Sequence, residues 1–139
     1  MGSPQYGYRK GRRMPIKALV DSTTADIEVG DLVTVATTGY VKQAAAGETV
    51  RGVAMQKVAS PSADGGASVL IDESPESVYE YPPDAGSVTQ GLVGTSMDLG
   101  GAQSINIDAS LVDNVLVRSA DTDKNTLNVS FLFAFTGVV

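Results

Sequence analysis

The pattern that most limits what this chain can become lies near its C-terminus. Leu127, Val129, Phe131, Phe133 and Phe135 recur at every second position, with Asn128 and Ser130 between them. Side chains two apart in a strand point the same way, so this spacing describes a β-strand with one apolar face. All three phenylalanines of the protein fall in this run. Burying each contributes roughly 1.5–3 kcal/mol, so the strand is expected to anchor the core. Residues 132–139 are nearly all apolar, more than a strand covered on one face requires. Either both faces are covered within the domain, or one meets another subunit. Phe131, Phe133 and Phe135 are the candidates for that core or oligomer interface.

The same two-residue rhythm runs through most of the chain, and helical spacing is nearly absent. Asp31-Leu32-Val33-Thr34-Val35-Ala36 reads as a strand closed by a turn at Thr37-Thr38-Gly39-Tyr40. Further strands are expected in the segments 51–58, 67–72, 76–81 and 115–118, with weaker ones at 87–90 and 104–107. Pro82-Pro83 stops the strand before it, and 119–125 reads as a polar connection. A short helix is expected only at 108–114. Many short strands at roughly ten-residue spacing predict an all-β fold, a small β-barrel or β-sandwich.

Charge divides the chain unevenly. Arg9, Lys10, Arg12, Arg13 and Lys17 lie in the first 17 residues, which hold no acid. The remainder therefore carries five basic and sixteen acidic residues, a net of −11 within an overall −6. Glycine, proline and little apolar material in the first residues predict an extended basic arm over 1–17 and a single β domain over 18–139. A second small β subdomain from about residue 83 is the alternative division. Tyr6 and Tyr8, beside the basic run, supply contact area at low entropic cost. Tyr6, Tyr8, Arg9, Lys10, Arg12 and Arg13 are thus candidate contact residues for an acidic protein surface, including that of a neighbouring copy. An acidic body is repelled by nucleic acid, so no nucleic-acid partner is expected.

Chemistry is harder to find. Histidine and cysteine are both absent, which removes thiol nucleophiles, Ser-His pairs and the usual zinc ligand sets. Asp72, Glu73, Glu76 and Glu80 form an acidic group, but sugar-stacking tryptophan is absent and a solvated turn explains them. Asp121-Thr122-Asp123-Lys124-Asn125 begins like a calcium loop. Thr126 then replaces the turn glycine and Leu132 the closing glutamate, so a plain hairpin turn is expected. Gly91, Gly94, Gly100 and Gly101 lack phosphate-binding spacing. No enzyme activity, metal or cofactor is predicted. No apolar run is long enough for a membrane-spanning helix, and the N-terminus lacks the apolar core of a secretory signal.

Gly30, Asp31, Val33, Gly39, Ala45, Gly47, Gly52, Val53 and Ala54 fall in the order G-D-x-V, glycine turn, A-x-G and G-V-A. In this the chain resembles the small capsid cement or decoration proteins of tailed bacteriophages, over about a quarter of its length. The resemblance implies a virion protein, made in the host cytoplasm, that adds to the outer surface of an assembled shell. It implies the major capsid protein as partner and a homo-oligomer, a trimer before a dimer. The competing reading is a carbohydrate- or receptor-binding module of a phage fibre or adhesin. That reading predicts an exposed aromatic platform, for which Tyr40, Tyr79 and Tyr81 are available outside the arm and the last strand.

Overall fold

A computed structural model describes residues 7–108 and 114–131. They form eleven strands: β1 (Gly7–Lys10), β2 (Pro15–Leu19), β3 (Leu32–Val35), β4 (Val41–Gln43), β5 (Gly52–Ala54), β6 (Ser68–Asp72), β7 (Val78–Tyr81), β8 (Ser96–Gly101), β9 (Ser104–Asn106), β10 (Val115–Asp121) and β11 (Thr126–Phe131). The only helical turn among the described residues is a 3-10 turn at Gln90–Leu92, and the weak strand expected at 87–90 does not form. Most of the helix expected at 108–114 lies outside the described residues.

The strands make two sheets packed as a β-sandwich. One sheet runs β1-β7-β11-β10-β8-β9 and the other β2-β6-β5-β3-β4, with antiparallel pairing throughout. The expected alternation appears in β11, where Leu127, Val129 and Phe131 are buried in the main core. Tyr79 and Tyr81 of β7 stack at 6.2 Å, and Phe131 tilts onto Tyr79 at 5.5 Å. Such ring pairs contribute about 0.5–1.5 kcal/mol beyond the area they bury. Leu32 and Val53 reach this core from the opposite sheet. Phe133 and Phe135 lie outside the described residues.

The centre of the smaller sheet is buried on both faces. Val20, Ile27, Val33, Val41, Ala54, Val69 and Ile71 form a second core. Leu32 and Val33, neighbours in sequence, therefore serve different cores, as do Val53 and Ala54. Gly52 permits the closeness this needs. A Cβ there would stand 3.0 Å from both the Asp72 carbonyl and the Ile71 side chain.

Two boundaries differ from the sequence expectation. Residues 7–17 of the expected arm do not stand off from the body: β1 pairs with β7 in one sheet, and β2 pairs with β6 in the other. The crossing between them turns at Gly11, at φ +104°, where any side chain would run into the Glu76 backbone. Pro82-Pro83 does not divide the chain either. Pro82 and Asp84 exchange backbone hydrogen bonds with Ile105 at 3.0 and 2.8 Å, and all later strands extend the sheet that holds β7. Prolines end β7 because they cannot continue its ladder, and the chain then runs beside β9 instead.

Candidate functional site

The outer face of the larger sheet is set by the parity of its strands. Tyr79, Tyr81 and Val129 point inward, so Val78, Glu80 and Asn128 point out. Beside them stand Arg9 and Lys10 of β1, Arg118, Ser119 and Asp121 of β10, and Lys124 of the turn before β11. Together these residues line a concavity of about 520 Å³. Four cations face two carboxylates there, an excess of two positive charges on a protein whose net charge is −6.

Glu80 organises this face. It is only 4% exposed. Arg9 Nε donates to its Oε1 at 2.8 Å, Lys124 Nζ approaches its Oε2 at 3.2 Å, and the Thr126 hydroxyl donates to the same Oε2. Burial pushes the Glu80 carboxyl up, but the bonds from Thr126, Arg9 and Lys124 outweigh it and hold the group below the usual glutamate range. Arg9 reaches Glu80 because the β1–β7 register shifts between Tyr8 and Lys10. Such a bulge re-aims a side chain. Neither Lys10 nor Arg118 has an ion-pair partner among the described residues, and Arg118 lies 3.5 Å from the Ser130 hydroxyl.

The predicted contact residues thus separate into three kinds. Tyr8 is half-buried, packs edge-on against Tyr79 at 5.7 Å and donates to the Gly11 carbonyl at 2.5 Å. Arg13 lies over the Tyr8 ring at 3.8 Å, a cation–π contact that holds it against the body. Arg9 is bound to Glu80, while Lys10 and Arg12 face solvent. Tyr6 lies outside the described residues.

The acidic group read as a solvated turn is nothing of the kind. Asp72 is fully buried and accepts from the Met14 and Ser74 amides at 2.9 and 3.0 Å and from the Tyr79 hydroxyl at 2.7 Å. Burial, then the bond to Asp72, raises the Tyr79 phenol far above its ordinary value. Glu73 pairs with Arg51, and only Glu76 is exposed. The basic segment and the acidic segment are therefore partners. Arg9 serves Glu80 across 71 residues, and the Met14 amide serves Asp72 across 58. Arg118 and Lys124, which the sequence reading passed over, complete the cationic face. The available signal was parity, since Glu80 stands between two inward tyrosines and so belongs to a strand surface.

Asp121 behaves as a turn former, its carboxylate accepting from the Asp123 and Lys124 amides at 3.1 and 3.0 Å. No group of three or more metal-ligating side chains occurs among the described residues. Of the tyrosines counted for an aromatic platform, Tyr79 and Tyr81 are buried and Tyr40 is half-exposed. The class defined at this point is an all-β sandwich with a cation-rich concavity on one sheet. Comparison of the chain with protein-family models, with curated proteins and with solved structures found no match.

Proposed function

We propose that this protein is a structural binding protein of the capsid cement class, attaching to the outer surface of an assembled phage head. The observation that carries the reading is the local excess of positive charge around Glu80 on an otherwise acidic molecule. A face of this kind suits an acidic protein surface. Two of its cations, Arg9 and Lys124, are held on Glu80 before a partner arrives, which lowers the entropic cost of docking. On this reading the partner is the major capsid protein.

The mechanism is mass action. A clamp that recognises a surface formed only by neighbouring capsid subunits stabilises the assembled shell relative to separated subunits. An oligomer carrying several such faces, a trimer before a dimer, gains roughly 10²–10⁴ in avidity without any stronger single contact. The fibre or adhesin reading is left with fewer resources, because two of its three platform tyrosines are core residues.

The test is co-sedimentation with purified, expanded phage heads. Lys10→Glu combined with Arg118→Glu reverses the two unpaired cations and leaves the Glu80 bonds in place. Binding is expected to weaken at least tenfold, about 1.4 kcal/mol, and wild-type binding to fall as salt rises. Undiminished binding by the double variant removes the concavity from the mechanism.

A further inference from the structure

A second surface is built on different physics. β2 is paired through its backbone to β6, yet four of its five side chains are exposed and only Ala18 is half-buried. Six large apolar side chains stay exposed among the described residues. Met14, Ile16 and Leu19 fall on β2 or just before it, and Val35 lines the groove beside it. That groove, about 270 Å³, runs between β2 and the β3–β4 turn, with Val41 and Ile71 at its base. Past Leu19 the chain joins β4 through the Val20–Val41 bridge, while β2 itself ends the sheet order. Apolar side chains gathered on such an edge strand describe a place where another strand adds.

We propose that this groove receives residues 132–139 of a second copy of the chain, as an added strand. Three observations select that occupant. The segment Leu132-Phe133-Ala134-Phe135-Thr136-Gly137-Val138-Val139 carries no charge and six apolar residues. As a strand it spans about 26 Å at ~3.3 Å per residue, enough to run the length of β2. It lies outside the described residues, following directly on Phe131. Next, β2 does not suit a second β2. Lys17 is its central residue, so antiparallel edge-to-edge pairing centred on the strand sets like charges opposite each other. An uncharged strand meets no such penalty. Finally, Phe131 ends β11 in the core between the sheets, whereas Val41 and Ile71 belong to the second core. In this proposal a neighbouring molecule supplies the segment; return of the segment to its own groove would instead leave the full chain monomeric.

This contact joins different surfaces on the two copies, and such heterologous contacts close into rings or, when reciprocal, into swapped dimers. It makes no use of the cationic face, so its test is independent of capsid binding. The absence of cysteine makes the experiment clean. In solution the full chain is expected at an integral multiple of 14.3 kDa. Truncation to residues 1–131 and, separately, Leu19→Lys are each expected to give monomers. Leu19 is 49% exposed, so the second variant leaves the fold intact even if the truncation does not. Mixing Leu19→Cys chains with Phe135→Cys chains under oxidation is expected to yield a cross-linked heterodimer. A monomeric full chain, an assembly that survives either the truncation or Leu19→Lys, or a failure of the 19–135 cross-link overturns the proposal.

Discussion

β1 and β2 are halves of one N-terminal segment, and they are held in opposite ways. β1 is fixed by side chains: Tyr8 against Tyr79, Arg9 on Glu80, and Arg13 over Tyr8. β2 is fixed by its backbone ladder to β6, while its side chains face outward. Secondary structure alone does not distinguish the two. The difference teaches that an edge strand with spent side chains belongs to the fold, while one with idle apolar side chains is available to a partner.

The sharpest way to break this contrast is at Asp72, which ties the segment between the two strands to the body through the Met14 amide. Asp72→Ala leaves that amide, the Ser74 amide and the buried Tyr79 hydroxyl without their acceptor. Urea unfolding should show a loss of about 3 kcal/mol. Hydrogen exchange should quicken at residues 11–19, and Asp72→Asn should recover part of the loss. An unchanged midpoint would mean that the carboxylate is dispensable.

Next in size is a direct comparison of the two strands. Tyr8→Ala should cost about 1–2 kcal/mol, because a half-buried ring and its contact with Tyr79 are lost. Ile16→Ala, at an exposed side chain of β2, should stay within about 0.5 kcal/mol. Equal effects in thermal unfolding of the monomer would erase the distinction.

The smallest effect is in the pH dependence. Glu80 has a carboxyl held below its unfolded value near 4.3, so its ionised form is favoured by folding. Its contribution is full above that unfolded value and is lost as pH falls through the lower folded one. Glu80→Gln should therefore narrow the gap in stability between pH 6 and pH 3, as read by denaturation at each pH. An identical acid profile in the variant would assign the acid sensitivity elsewhere.

The all-β class was legible because it rests on local repetition: Leu127, Val129 and Phe131 carry their spacing in adjacent residues. Turns at Gly39 and 122–125 were legible for the same reason. The candidate site was not, because its bonds join residues far apart. Nothing near Arg9 announces Glu80, and nothing near Asp72 announces the Met14 amide. Considered separately, a run of cations looks like a free arm and a run of acids like a wet turn. Each impression dissolves once the strands bring the two together. Parity within β7 placed Glu80 on a surface, but only the sheet order placed β1 next to it.

The placement of β1 also bears on the order of assembly during synthesis. Its ladder partner among the described residues is β7, so β1 leaves the ribosome some seventy residues before the strand it pairs with. β2 waits nearly as long for β6. Contacts that close such long loops form slowly, and the growing chain carries its unpaired leading edge until they do. β1 and β2 are thus made well before the strands that hold them and are among the last pieces to settle.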